Sequence, residues 1–453
     1  MHPAPPTAPR RGGRLRALLI AAVLLAGALL RLVSATETRV HEPLAGDATQ
    51  YFLYAYNLKN FAIFSKDPGD PPFSGRGIRP DAARSPGYPL FLSAFVQGPP
   101  DRSLERRVAL AQALLGILTL GAAFLLFRLL LPRGWDLAAL TFTALSPHLV
   151  VMESYILSET LFTLLLVLSG LGLMLLARRP SLPAAALSGA LLALGCLVRP
   201  SLSFFPLFLA AYLLFRYRNK KAAVRALVLL AAFLLVLAPW SIRNHTLAKS
   251  PLGNENLINF LHYGLYPNMC YQDRPETFGW PTLSDPRAAE IHRSVEGVLS
   301  EILRRFREEP ARHFSWFFLK KPLYFWSWSI LRGSGPFVFR VDASPYLSNP
   351  VFQISLGLMR VLHWPLVALM ALCCFWAWSR GFPGTRDPAS RSFARMLSLL
   401  LLAYTAMHMV GLPESRYSLP LKPFGYAMAV LCARACYQKI SAMRKKAAGQ
   451  EAP

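Results

Sequence analysis

The amino-acid sequence predicts an all-α polytopic membrane protein of about ten transmembrane helices, and three observations lead there. The chain of 453 residues is 54% hydrophobic and only 16% charged, whereas soluble domains lie near a quarter charged. The apolar residues are clustered: 108–127, VALAQALLGILTLGAAFLLF, contain no charge, and roughly 20 such residues span a bilayer core as a helix. Basic residues gather beside these runs, at Arg10, Arg11, Arg14 and Arg16, at Arg178 and Arg179, at Arg216, Arg218, Lys220 and Lys221, and at Arg444, Lys445 and Lys446. That is the pattern of cytoplasmic loops. The runs are too long and continuous for barrel strands, and helices are the other backbone that lipid admits. The formal charge of +25 is therefore partly topology, and a nucleic-acid partner is rejected.

In chain order, the spans are expected at 17–36, 106–131, 135–152, 156–177, 183–199, 200–215, 223–242, 353–379, 393–411 and 419–437. An even number returns the basic C-terminus to the cytoplasmic side of the basic N-terminus, residues 1–16. The short turns near 152–156 and 412–418 carry few basic residues and fall on the other side. The first run contains Arg31 and has no convincing cleavage site, so a retained span is preferred to a signal peptide. The core then comprises 17–242, including an extracytoplasmic loop at 37–105. A second extracytoplasmic loop, 243–352, precedes C-terminal helices over 353–437 and a basic tail, 438–453. Loops of this length usually carry function. The second loop predicts a helix at 286–309 with Ile291, Val295, Val298, Leu299 and Ile302 on one stripe. After it comes HFSWFFLKKPLYFWSWSI, 313–330, read as a helix in the membrane interface because Trp, Tyr and Phe surround a lysine pair. The Pro/Arg-rich start, 3–14, is expected to be disordered. Six cysteines with no CxxC predict neither a disulfide framework nor a zinc site.

The first stretch that bears on chemistry is GDATQYFLYAYNL, 46–58. Asp47 reads either as the cap of a helix over 48–58 or as a general base at the mouth of the membrane domain. Both can hold, since a carboxylate has two oxygens. In RSPGYPLFL, 84–92, a Pro-Gly turn leads into an apolar run. Arg84 there is either an interface anchor or a phosphate contact, because guanidinium binds phosphate oxygens bidentately; Tyr88 is set beside it as a substrate contact. Glu153 and Glu159 flank the fourth span. An acid there is either favoured by the helix dipole or turned toward water or a partner. Arg199 in CLVRPS, Arg243 in APWSIRNH and Arg416 in PESRYSLPL stand at the outer ends of spans. Singly each reads as an anchor. With Arg84, Lys320 and Lys321 they make a cationic rim suited to an anionic headgroup presented from the lipid.

Taken in order, GDATQYFLYAYNL, RSPGYPLFL, SETLF, LVRPS, PWSIRN and ESRYSLPL resemble the C-type, membrane-embedded glycosyltransferases that use polyprenyl-phosphate-linked sugars. In particular they resemble bacterial relatives of the protein O-mannosyltransferases and of the lipid A aminoarabinose transferases. The motifs sample residues 46–421. The resemblance implies a transmembrane bundle with juxtamembrane helices in the first outer loop, the aromatic face of 51–58 packing one of them into the membrane interface. It implies that Asp47 deprotonates an acceptor hydroxyl, that C1 of the sugar is attacked in one inverting step, and that polyprenyl phosphate leaves. The partners are then a polyprenyl-phosphate sugar donor, a lipid, glycan or protein acceptor, and membrane lipids. The setting is the cytoplasmic (inner) membrane, with the site facing the periplasm or cell exterior. Where eukaryotic protein mannosyltransferases carry an Asp-Glu pair in this loop, Ala48 follows Asp47, so a protein acceptor is not favoured. No second acid stands beside Asp47, and neither a metal nor another cofactor is expected.

Two other functions fit the spans. A transporter or flippase of lipid-linked sugars is disfavoured by the lack of paired charges in mid-membrane and of an internal repeat. An O-antigen-type polymerase or ligase would account for the long loop at 243–352 but not for an acid and an aromatic helix directly after the first span.

Overall fold

The computed structural model describes residues 11–247, 255–331, 333–385 and 387–447. The expected disorder at 3–14 falls mostly outside the described residues, but 11–14 already belong to the first helix. In order the helices are α1 Arg11–Glu37, α2 Asp47–Phe61, α3 Gly87–Ser93, α4 Arg102–Leu130, α5 Trp135–Leu145, α6 Pro147–Met152, α7 Glu159–Arg178, α8 Leu182–Val198, α9 Phe205–Tyr217 and α10 Lys220–Leu247. Then follow α11 Glu255–Tyr263, α12 Ala288–Ile291, α13 Val295–Glu308, α14 Pro310–Phe314, α15 Lys321–Phe325, α16 Pro345–Ser348, α17 Pro350–Trp376, α18 Pro388–Val410 and α19 Lys422–Ala447. The protein is an all-α multi-pass membrane protein. Among the described residues seven helical stretches are long and apolar enough to cross a bilayer, in α1, α4, α7, α9, α10, α17 and α18, and α5 and α8 are shorter apolar helices. Large apolar side chains such as Leu18, Leu25, Phe215, Leu235 and Val361 point outward, as a lipid-facing surface requires.

Each expected span coincides with a helix, and the differences have local causes. The span at 135–152 is two helices, because Ser146 is extended ahead of Pro147; proline lacks the N–H that would continue the ladder. The helix at 286–309 is likewise broken. Residues 292–294 interrupt it, and the Ser294 hydroxyl accepts from the Gly297 N–H to start α13. Ile291 and Val298 are buried, while Leu299 is exposed rather than on the stripe. The aromatic segment is helical through 310–325, with a π turn at Ser315–Lys320. Trp316, Lys321 and Phe325 are fully buried in protein.

The bundle has two ends. Arg16 pairs with Asp136, and the Leu129 carbonyl accepts from Arg178 and Ser390 at one end. Asp47, Glu159, Arg199 and Arg416 lie at the other. There the two long loops are joined by a short antiparallel ladder, β1 Arg39–Val40 against β2 Val341–Ala343. Tyr155 adds to this join by donating to the Phe339 carbonyl at 2.9 Å.

One element was not foreseen. Arg31 and Glu153 form an ion pair at 3.0 Å, each with 2% or less of its side chain exposed. Arg31 also donates to the carbonyls of Gly27, Ala144 and Thr143. Gly116 makes room for the pair, since a Cβ there would stand 1.9 Å from Glu153 Oε1. The pair joins α1 to the turn before α7, toward the end of the bundle that holds Asp47.

Candidate active site

The site begins with the turn that enters α2. Gly46 has φ 58° and ψ −120°, which a side chain would strain. It, not Asp47, is the N-cap; Asp47 is the first residue of the helix and caps nothing with its side chain. The cap reading of Asp47 is thereby corrected, although a carboxylate at a helix start is still favoured by the dipole, by about 0.3–1 kcal/mol.

Both carboxylate oxygens of Asp47 are bound by arginine. Arg84 donates to Oδ1 at 2.6 Å and Arg416 to Oδ2 at 2.7 Å. Arg84 is steered by Gln50, whose Oε1 accepts from Nε at 2.9 Å. Arg416 reaches on to Glu159 at 3.2 Å, and Arg199 meets the same Glu159 oxygen at 2.7 Å. Glu159 thus holds two guanidiniums side by side, with Tyr417 stacked beneath both at 4.8 and 5.2 Å. Arg416 and Glu159 are nearly closed off, whereas a quarter of the Asp47 side chain stays open. Burial would raise the Asp47 pKa, but the charges and hydrogen bonds of Arg416 and Arg84 outweigh it and hold the carboxyl well below the usual range. Asp47 is ionised and, in this arrangement, a weak base.

The loop between α2 and α3 folds to deliver Arg84. Tyr54 donates to Asp81, whose carboxylate also accepts from the N–H groups of Lys66 and Ala83. Asn57 donates to the carbonyls of Ser65 and Asp67 at 2.9 and 2.7 Å. The chain at 62–83 is thereby tied back under α2. This corrects the reading of the α2 aromatics as a membrane-interface face. Tyr51, Phe52, Tyr54 and Tyr56 are buried in protein, with Tyr54 stacked on Phe64 and both Phe52 and Tyr56 against Phe73.

The remaining candidate residues are engaged elsewhere. Tyr88 is fully buried, donates to Gln112 Oε1 at 3.0 Å and packs edge-on against Tyr51, so it supports the site rather than facing a substrate. Arg243 donates to the carbonyls of Asp81 and Phe64 and lies over the rings of Phe64 and Trp240, holding the first loop. Lys320 meets Asn268 at 3.2 Å. Lys321 donates to the carbonyls of Met409 and Val410 at the C-terminus of α18, where a cation meets the negative end of the helix dipole. Of the cationic rim, Arg84, Arg199 and Arg416 converge. Gln50 and Tyr417 were missed, though both lie inside quoted motifs. Among the described residues no group of three or more His, Cys, Asp or Glu side chains is placed to hold a metal ion.

Residues 85–242, about a third of the chain, match the family described as dolichyl-phosphate-mannose-protein mannosyltransferase. This bears out the resemblance drawn from the motifs. Tyr88, Glu159 and Arg199 lie inside the matched stretch, Asp47 and Arg84 precede it, and Arg243 follows it by one residue. No curated protein matches the sequence. Among solved structures, the chain is similar to the oligosaccharyltransferase AglB of Archaeoglobus fulgidus in complex with an inhibitory peptide and a dolichol-phosphate. Identity is 14% over 98% of this chain and 53% of that one, with a TM-score of 0.49. It is also similar to ArnT of Cupriavidus metallidurans bound to undecaprenyl phosphate, at 13% identity over 95% of this chain and 79% of that one, with a TM-score of 0.39. The chain spans about half the length of the archaeal protein.

Proposed function

We propose that the protein is an inverting glycosyltransferase, moving a sugar from a polyprenyl-phosphate carrier to a hydroxyl of a lipid, glycan or protein acceptor at the outer face of the membrane. The observation that carries the proposal is the partly open Asp47 carboxylate held between two guanidiniums, with a third guanidinium fixed beside them. Such a set matches both halves of the reaction. The acceptor O–H gives its proton to Asp47 while its oxygen bonds to C1 of the sugar, and the bond from C1 to the phosphate oxygen breaks. A positioned base of this kind contributes about 10²–10⁴-fold. Charge then develops on the leaving phosphate, where preorganised arginines are most effective.

The same geometry sets an order. Asp47 cannot serve as a base of useful strength while Arg84 and Arg416 both bind it. The phosphodiester monoanion of a donor that draws off one of them raises the proton affinity of the carboxylate, so in this proposal the donor arms the base and precedes the acceptor.

The test is release of polyprenyl phosphate by the protein in lipid vesicles, with a panel of polyprenyl-phosphate sugars and a membrane extract as acceptor. Wild type is expected to turn over one donor, and a folded Asp47→Asn variant to lose at least about 10²-fold in rate. Equal release by the two would remove Asp47 from the reaction and overturn the assignment.

A further inference from the structure

At the end of the bundle opposite Asp47, α9 and α18 part to leave a polar cleft of about 230 Å³, walled by Arg216, Arg391, Arg395 and Asp387. Its floor is fixed, because Tyr212 bonds the Ser392 hydroxyl at 3.0 Å. The three arginines are unequally employed. Arg395 donates to the Ala377 carbonyl at 3.0 Å and lies over Trp378. The Arg391 Nε is closed off from solvent and has no hydrogen-bond partner. Arg216 is exposed and lies over the ring of Tyr217.

The one carboxylate in the wall does not neutralise them. Both oxygens of Asp387 are spent on Ser390, on its N–H at 2.8 Å and its hydroxyl at 2.7 Å, where they cap α18. Among the described residues no ion pair joins Asp387 to any arginine of the cleft. The cleft is therefore a cationic pocket with unused donors.

Its surroundings narrow the ligand. On α9, the helix that carries Arg216, the large apolar side chains Phe208, Leu214 and Phe215 are exposed and form part of the lipid-facing surface. The cleft lies where the helices end, at headgroup level, and the neighbouring Arg218, Lys220 and Lys221 mark this as the basic face of the bundle. A ligand seated here meets guanidiniums at one end and an oily helix face at the other. Basic pockets between transmembrane helices on the cytoplasmic side suit anionic lipid headgroups. We propose that this cleft binds the phosphate of an anionic phospholipid, with the acyl chains lying along α9. The site is separate from the Asp47 centre and stands whether or not the transferase reading holds.

The test uses the full chain, stripped of lipid in a neutral detergent, with thermal unfolding followed as phosphatidylglycerol, phosphatidylcholine of the same chains, or inorganic phosphate is added. Phosphatidylglycerol is expected to raise the Tm and phosphatidylcholine to leave it unchanged. The double variant Arg216→Gln/Arg391→Gln should weaken the half-saturating phosphatidylglycerol concentration by on the order of tenfold. Lys220→Gln/Lys221→Gln, which removes equal charge from the same face, should weaken it far less. Should the double variant not fold, Arg216→Gln alone, at an exposed position, carries the comparison. Equal shifts with the two lipids, or equal losses in the two double variants, would overturn the proposal in favour of diffuse charge. An equal shift with inorganic phosphate at the same concentration would mean a soluble anion is the ligand and would overturn it too.

Discussion

On α13, Glu301 receives Arg304 at 2.6 Å and Arg305 at 2.8 Å from the next turn of its own helix, and Arg287 at 3.1 Å from just upstream. At the membrane site, Asp47 receives Arg84 from 37 residues away and Arg416 from 369. Both clusters are made of arginines and carboxylates. In the first, i,i+3 and i,i+4 spacing lets neighbours satisfy each other in any helix. In the second, charges meet only because the bundle brings distant segments together, and the leftover reach of Arg416 falls on Glu159, which Arg199 shares. Self-contained pairing stabilises a loop. Pairing across the fold leaves two carboxylates, Asp47 and Glu159, and three cations concentrated at one half-open point, a state that a ligand can relieve.

The sharpest contrast is catalytic. Asp47→Asn is expected to lower transfer by at least about 10²-fold, while Glu301→Gln leaves the rate within a few-fold, both read as polyprenyl phosphate released. Comparable losses would erase the distinction between the clusters.

The next effect is on stability. Arg416→Gln leaves Glu159 short of one cation and Asp47 of another, and breaking a buried pair costs about 3–5 kcal/mol. Thermal unfolding of this variant should show a large drop in Tm, and a drop no greater than that of Arg304→Gln would deny the site its special burial.

A smaller effect is pH-dependent and belongs to the second loop. Burial, the neighbouring His292 and Arg305 together push the His262 pKa down to about 4, against the pull of Asp285 and Glu301. The unfolded loop takes up the proton first, so stability from His262 is full above its ordinary value near 6.5. It is lost as pH falls from there to about 4. Glu301 is held down at about 2 by its arginines against the opposing effect of burial, and its contribution is lost only below the ordinary carboxylate range. Hydrogen exchange over 255–309, taken relative to its intrinsic rate at each pH, should therefore rise as pH falls from 6.5 to 4, and His262→Gln should flatten that rise. A wild-type rise that His262→Gln leaves unchanged would place the sensor elsewhere.

The smallest effect is at the surface. A double-mutant cycle on Arg304 and Glu308, both largely exposed, should return a coupling of about 0.2–0.5 kcal/mol. A coupling of several kcal/mol there would make the two clusters energetically alike.

The helices were legible because a bilayer demands long apolar runs, and each run in the sequence became a helix within a few residues. Asp47, Arg84, Glu159, Arg199 and Arg416 were legible as charges standing at the ends of such runs. Their pairing was not, since partners hundreds of residues apart leave no local spacing to read. The misread residues share a cause. Arg243 and Lys321 bind backbone carbonyls, which every residue carries and no side-chain pattern marks. The aromatics of α2 were assigned to lipid because nothing in 62–83 announces that this polar stretch folds back over them. Arg31 and Glu153 were each visible as charges at apolar segments, yet they meet only through the packing of α1 against α4 and the turn before α7.

The reach of Arg416 has a consequence for biosynthesis. A chain emerging from the ribosome carries Asp47 into the membrane with its first long loop, but the second guanidinium that binds it arrives only when the segment before α19 has been made. Until then the centre is two separate acid–arginine pairs, Asp47–Arg84 and Glu159–Arg199, without the guanidinium that links them. Chains cut short anywhere before residue 416 can insert most of their helices and still lack an assembled centre, so the centre is completed only once Arg416 has been added.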